Sequence, residues 1–324
     1  MIVRTPKRLH LGIIDPIGTF GRRFGSIGVA LEDGYEVKIT PSDSLRIEAN
    51  DEDKEVIKNV IEVMNSKFGT GFEYHIEVRK SIPRHVGLGS VTQLSLAVGS
   101  AVAKLSHLSI GEEDIAKALG RAKESGAGLY VFKYGGLVID GGVKEDIPPL
   151  IVRHTLPPDW GFILVMPNVK RGLSEREEEE IMKDKFGDEK AAKEISHRIL
   201  LQLLPALIEK NIKEFGKALS EIQALVGRHF SAFQGGEFRD DIAIIVNFLK
   251  EKTYGAGQSS WGPTVYGLIR ISEYEPIKAS IQEFLEDHGI KARVELGIPR
   301  NTGAEIVGEN LFLERLIKSV GGSK

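Results

Sequence analysis

The sequence predicts an α+β protein of two domains, and three observations carry that reading. Its 324 residues are about twice the usual ~150 per domain. Residues 1–155 are strand-rich with a helical insert, and beyond Pro157-Pro158 the pattern turns mostly helical. The predicted units are therefore 1–157 and 158–324.

The elements follow in order. Residues 29–40 break at Asp33-Gly34, a hairpin dipeptide flanked by β-formers. Residues 45–49 and 74–78 alternate with the period of half-buried strands. Between them Val56, Ile57, Val60, Ile61 and Met64 recur at helical spacing, which predicts a helix over 53–68. Residues 90–105 are Ala- and Leu-rich and apolar on several faces, the mark of a buried helix. A further helix opens near Ile110 and runs to about Leu119. In the second unit, 160–167 is a buried-strand pattern, and helices are predicted over 174–225 and about 239–250. Strands at 265–270 and 292–296 flank an amphipathic helix near 275–287. Glu177 to Glu180 reads as the solvated first turn of a helix, where carboxylates oppose the positive end of the dipole.

Composition narrows the function. Lys and Arg total 43 against 46 Asp and Glu, a net charge of −3, without the basic excess of a nucleic-acid or anionic-membrane binder. Cysteine is absent, which removes disulfides, Cys-ligated metals and thiol nucleophiles. No apolar run approaches the ~18 residues of a membrane span, and the N-terminus is charged where a signal peptide turns apolar. The expectation is a cytoplasmic enzyme or ligand-binding module, with neither nucleic acid nor membrane as partner; a homodimer is compatible with the sequence. No zinc-hydrolase His motif and no Gly-x-Ser-x-Gly elbow occurs.

Three segments carry chemistry. Pro83-Arg84-His85-Val86-Gly87-Leu88-Gly89-Ser90-Val91-Thr92-Gln93 follows a strand and opens the buried helix. Glycines there let the backbone approach an anion, and the free N–H groups of a helix start point at it. Ser90 and Thr92 add hydroxyls for phosphate or Mg²⁺; the competing reading is an ordinary strand–helix turn with Ser90 as N-cap. Residues 255–264 set Gln258, Ser259 and Ser260 around Trp261, as a site loop with an aromatic plate for a flat ligand; a core tryptophan is the commoner case. Arg8 and His10 alternate with apolar residues and project from one strand face, either into a site or into solvent.

Together these segments resemble the GHMP superfamily of small-molecule kinases, whose phosphate loop reads Pro-x-x-x-Gly-Leu-Gly-Ser, as Pro83 to Ser90 does. More narrowly, the chain resembles the beta-ribofuranosylaminobenzene 5'-phosphate synthases, a divergent archaeal branch that is not a kinase. Arg8-Leu9-His10 with Gly12 and Asp15, the 87–93 loop, Gly135-Gly136 through Asp140-Gly141-Gly142, Pro148-Pro149-Leu150 with Arg153, and Gly257 to Thr264 carry the match. The last is the most specific, since ordinary members have glycines at Ser259 and Ser260.

The resemblance implies a GHMP-type fold with the ligand cleft at the domain junction. It also implies a pentosyltransferase reaction between phosphoribosyl pyrophosphate and 4-aminobenzoate or a hydroxybenzoate, in tetrahydromethanopterin-type cofactor synthesis. Gly87, Leu88, Gly89, Ser90, Thr92 and Gln93 would cradle the donor with Ser125 and Gly126. Arg8, Arg84, Arg121 or Arg153 would supply positive charge, and His10, Gln258, Ser259, Ser260 and Trp261 would meet substrate. Asp15 and Asp140 are the candidate catalytic acids, and Ser90 with Asp140 the candidate Mg²⁺ ligands; a turn-capping role for Asp140 is an equal competitor. An ATP-dependent kinase is the main alternative, although Ser125-Gly126-Ala127-Gly128 has glycine where many GHMP kinases carry a catalytic aspartate. A non-catalytic sensor on the same fold is the third. The chain departs from the synthase pattern at Val91, at Ala122-Lys123-Glu124 and at Val143, each adding bulk or removing positive charge near the phosphate site.

Overall fold

The computed structural model describes residues 1–71, 73–173 and 175–308; the start of the helix predicted from Ser174 and the end of the second unit, 309–324, lie outside them. Along the chain run β1 (Ile2–Arg4), β2 (Lys7–Asp15), β3 (Phe24–Leu31), β4 (Glu36–Ser42), β5 (Arg46–Glu48), α1 (Asp51–Phe68), β6 (Glu73–Lys80), α2 (Ser90–Leu105), α3 (Glu112–Ala118), α4 (Ala127–Tyr134), β7 (Leu137–Asp140) and β8 (Leu150–His154). There follow β9 (Trp160–Pro167), α5 (Glu175–Lys183), α6 (Glu189–Arg198), a π-helical turn (Ile199–Leu203), α7 (Leu204–Ile208), α8 (Ile212–Gln234), α9 (Ala243–Lys252), β10 (Gly255–Gln258), β11 (Val265–Arg270), α10 (Tyr274–Asp287), β12 (Ala292–Gly297) and β13 (Glu305–Val307). The architecture is the predicted α+β type. No helix among the described residues is long and apolar enough to cross a membrane.

Three sheets result, ordered β13-β1-β4-β6-β5, β2-β3-β7-β8 and β10-β11-β9-β12. The hairpin expected at Asp33-Gly34 does not form: β3 pairs with β2 and β7, whereas β4 pairs with β1 and β6. The cause is Tyr35, which plunges into the core at 1% exposure. Its N–H donates to Thr5 Oγ1 and its hydroxyl to Asp53 Oδ1, both at 2.9 Å. Gly34 lies so close to the chain before β2 that a Cβ would sit 2.2 Å from the Thr5 carbonyl oxygen. The turn therefore carries the chain between two sheets.

α1 and α2 form where the apolar spacing put them. Ile57, Val60, Ile61 and Met64 are buried on α1, which is capped by the Asn50 side chain accepting from the Asp53 N–H. Helix α2 is buried along most of its length, so its N-terminus is a fixed point in the molecule. One apolar core runs from the first half (Leu9, Leu11, Val29, Leu96) to the second (Trp160, Phe162, Phe215, Leu219). The last described strand, β13, crosses back to pair with β1.

Residues 255–258, expected as part of a loop, are strand β10, buried throughout. Its Gly-Ala-Gly run is small because α8 lies directly on it. A Cβ on Gly255 would stand 2.1 Å from the Gly216 carbonyl oxygen, and one on Gly257 2.4 Å from Gln223 Oε1. The loop proper begins at Ser259.

Candidate active site

The glycine loop leaves β6, turns through positive φ at His85, Gly87 and Gly89, and enters α2 with Gly89 as N-cap. Ser90 is the first helical residue, not the cap. The opening N–H groups of α2 thus have no partner in the preceding turn, which is the arrangement that receives an anion. The loop is clamped from both halves of the chain. The Arg8 N–H donates to the Leu88 carbonyl at 3.0 Å, and Arg8 Nη1 to that of Gly87 at 3.1 Å. From the second half, Ser259 Oγ donates to the Gly87 carbonyl at 2.7 Å, and the Thr264 N–H to Val86 at 3.2 Å. Gly87 is pressed so closely on Ser259 that a Cβ would lie 2.2 Å from its carbonyl oxygen.

The cleft has two compartments. The polar one is lined by Gly87, Gly89, Ser90, Val91, Thr92 and Arg121 among others. The apolar one is lined by Ile13, Met182, Val226, Phe230 and Phe238, with Gln223 and Gln258 on its wall. Arg8, Glu124, Ser125, Glu178, Ser260 and Trp261 line both and form the junction. Trp261 meets Phe230 edge to face at 4.9 Å and donates its indole N–H to Glu178 Oε1 at 3.0 Å.

Burial sets the electrostatics of this junction. It pulls the Arg8 guanidinium down to about 10, against the raising influence of Glu178, so Arg8 remains a cation at neutral pH. It holds His10 well below the usual histidine range, with the charge of Arg8 acting in the same direction. His10 is therefore neutral, and since its Nδ1 accepts the Gly12 N–H at 3.2 Å, the hydrogen resides on Nε2. Glu124 is raised, first by burial and then by the neighbouring charge of Glu178.

Beneath the junction lies a buried polar chain. His10 Nε2 is 3.3 Å from Ser125 Oγ, which also accepts the Ala127 N–H. Ser125 Oγ is 2.7 Å from Ser26 Oγ, and Ser26 donates to Asp140 Oδ2. The Gly126 and Gly142 N–H groups complete the Asp140 carboxylate, each at 3.0 Å.

Of the residues singled out in the sequence, Arg8, His10, Gly87, Gly89, Ser90, Thr92, Ser125, Gln258, Ser260 and Trp261 line the cleft. Ser259 underlies it, bonded to the His10 N–H at 3.0 Å, and Gly126 sits one residue behind Ser125. Others do not reach it. Asp140 is 1% exposed and its oxygens are taken by Ser26, Gly126 and Gly142, so it is a turn-organising carboxylate and not a Mg²⁺ ligand. Asp15 spends its carboxylate on the N–H groups of Ile17, Gly18 and Thr19 at 2.8–3.0 Å, which corrects its placement among the catalytic acids. Leu88 is core, and Gln93 is buried with its amide on the Gly128 carbonyl at 2.8 Å. Arg153 points outward to the carbonyls of Tyr134 and Asn301, and Arg84 faces Tyr35.

Sequence reasoning missed the acidic side of the junction. The run 177–180 is not wholly solvated, because α5 turns Glu178 and Met182, four residues apart, into the cleft. It also missed the wall formed by Gln223, Val226, Gly227, Phe230 and Gln234. These residues follow helical spacing on α8, and two glutamines interrupting an apolar stripe were the available signal. Gly128 lets α2 and α4 approach closely: a Cβ there would stand 2.9 Å from Thr92 Cγ2, so a side chain at this position requires Thr92 to shift.

The comparisons with known proteins agree with this geometry. Residues 55–136 match the GHMP kinases N terminal domain and 203–291 the GHMP kinases C terminal domain. The fold is shared with the Lactococcus lactis galactokinase structure complexed with galactose, at a TM-score of 0.69 and 14% identity, covering 94% of this chain and 95% of that one. These matches define the class, a two-part GHMP protein.

Within that class the relatives are specific. The beta-ribofuranosylphenol 5'-phosphate synthase of Archaeoglobus fulgidus is 35% identical over 94% of this chain and 98% of its own length. That of Methanocaldococcus jannaschii is 31% identical over 94% of this chain and 100% of its own. The chain belongs to the beta-ribofuranosylphenol 5'-phosphate synthase family.

Proposed function

We infer that this enzyme joins phosphoribosyl pyrophosphate to a para-substituted benzoate, giving a ribofuranosyl arene 5'-phosphate, pyrophosphate and carbon dioxide for tetrahydromethanopterin-type cofactor synthesis. The observation that carries this reading is the pairing of an anion-receiving helix terminus with an aromatic-walled compartment across one junction. In the reaction the ring carbon that bears the carboxylate attacks the anomeric carbon. Pyrophosphate leaves with the C–O bond pair, and carbon dioxide departs leaving its pair to restore the ring. The start of α2 and Arg8 would stabilise the charge developing on the leaving group. Trp261 and Phe230 would hold the ring in line with the anomeric carbon.

The residues present suit a magnesium ion shared with the donor. The Ser90 hydroxyl and the Glu178 carboxylate line the polar compartment, and Mg²⁺ takes such hard oxygens together with phosphates. When bound, it would neutralise charge on the pyrophosphate.

The phenol in the relatives' names favours 4-hydroxybenzoate over 4-aminobenzoate as acceptor. Carbon dioxide release from each carboxyl-labelled acid, with Mg²⁺ and phosphoribosyl pyrophosphate, tests the reading. Release that needs both substrates is the expected result; none from either acid overturns it and turns attention to ATP-dependent phosphorylation. Ser90→Ala is expected to raise the KM for the donor by about tenfold, the worth of one hydrogen bond to a charged group. An unchanged KM would remove the loop from donor binding.

A further inference from the structure

Asp140 touches neither compartment, yet it terminates an unbroken chain that begins at the cleft. The direction of each hydrogen in that chain follows from the donors around it. His10 carries its hydrogen on Nε2 and offers it to Ser125 Oγ, and the Ala127 N–H is given to the same oxygen. The hydrogen of Ser125 is left for Ser26, and that of Ser26 goes to Asp140. Every hydroxyl therefore points away from the cleft and toward the carboxylate. The two bonds that Ser125 Oγ accepts are long, 3.3 Å each, so a ligand hydroxyl that takes the place of the His10 contact can hand Ser125 its proton.

Three other polar groups of the apolar compartment, Gln223, Gln234 and Trp261, are committed elsewhere. Gln223 donates to the Leu11 carbonyl and accepts from the Gln258 N–H. The Gln234 amide donates to the Gly236 and Glu237 carbonyls, and the Trp261 indole to Glu178.

We propose that Ser125, Ser26 and Asp140 form a proton relay that draws the hydrogen from the acceptor's para hydroxyl while the ring attacks the donor. The inference rests on the reading of the apolar compartment as the acceptor's. The phenol proton passes to Ser125 Oγ, the Ser125 hydrogen to Ser26 Oγ, and the Ser26 hydrogen to Asp140 Oδ2. The O–H bond pair flows into the ring as the new C–C bond forms, and pyrophosphate leaves with the pair of the bond it breaks. Once carbon dioxide has left its pair in the ring, the proton returns along the same path. No proton is gained or lost overall. Ser125 is the member in contact with substrate; Ser26 and Asp140 are positioning residues. Burial raises Asp140 above the usual carboxylate range, opposed by its bonds from Ser26, Gly142 and Gly126, and so makes it a better proton acceptor than a solvated aspartate.

The test uses 4-nitrophenol, which carries a nitro group in place of the carboxylate, cannot decarboxylate, and changes colour on ionisation. It is bound to the full-length enzyme in the presence of inorganic pyrophosphate. The relay predicts that the bound phenol is more ionised than the free one, and that Ser26→Ala, Ser125→Ala and Asp140→Asn each remove that excess. With 4-hydroxybenzoate the same variants should lose about 100-fold in kcat, within the range of general base catalysis, with the KM for the donor unchanged in Ser26→Ala and Asp140→Asn, which line neither compartment. Near-UV circular dichroism checks that each variant is folded. Asp140→Asn, close in shape, reads the relay should Ser26→Ala fail to fold. Excess ionisation that survives Ser26→Ala but disappears in Ser125→Ala or Glu124→Gln overturns the relay in favour of a local base. Absence of 4-nitrophenol binding overturns the compartment assignment instead, and the relay with it.

Discussion

At the scale of single residues, the junction is governed by three charged side chains taken partly out of water. Arg8 is both clamp and cation: its backbone and guanidinium hold the glycine loop while its charge faces the cleft. Arg8→Met keeps the stem and loses the charge, and is expected to raise the KM for the donor by about tenfold or more, from the ~1.5–3 kcal/mol of a hydrogen bond to a charged group. Steady-state kinetics at varied donor concentration check this. Glu124 gives a pH prediction. Burial favours its protonated form, so the folded chain keeps the proton to higher pH than the unfolded chain does. Its contribution to stability is thus present below the ordinary glutamate pKa and is lost as pH rises through the folded value. Glu124→Gln should melt at a higher temperature than the parent at neutral pH, with the difference vanishing near pH 4. Thermal unfolding at both pH values decides it. Arg8 and Trp261 were legible in the sequence because their neighbours were small, polar or alternating. Glu178 was not, since a run of four glutamates does not reveal which one a helix turns inward.

At the scale of elements, legibility depended on whether an element's partners were its sequence neighbours. Helix α2 has twelve buried residues, and its apolar character on several faces announced this. Strand β10 is short, glycine-rich and a poor β-former by composition. It is a strand because it pairs along its length with β11, and its residues are small because α8 leaves room for nothing larger. Gly255→Ala is expected to destabilise the protein by about 3 kcal/mol, at the upper end of overpacking costs, because the added methyl meets backbone and no side chain can yield. Denaturant titration reads this directly. The dipeptide Asp33-Gly34 shows the opposite error. Its local chemistry suits a hairpin, but Tyr35 and Asp53, which meet only in the folded chain, route the two strands into separate sheets.

At the scale of the whole molecule, one apolar core joins both halves, and β13 returns to the first sheet. Residues 1–157 expressed alone lack the cover that α8 gives β2, and β1 loses β13, one of its two partners. They are expected to show neither near-UV circular dichroism nor a cooperative thermal transition. A cooperative transition in that fragment would show that the first half carries a sufficient core.

By itself the sequence determined the α+β class, the glycine loop at the head of a buried helix, and the family to which the chain belongs. Each of these is written in contiguous residues whose local geometry follows from spacing, glycine placement and apolar periodicity. Only the tertiary structure decided that Asp15 serves a turn, that Asp140 is buried behind the cleft, that Glu178 faces the cleft, and that Ser26 links Ser125 to that buried carboxylate. These are contacts between residues as many as 114 positions apart. Periodicity reports which face of an element is buried, not which distant group it meets there.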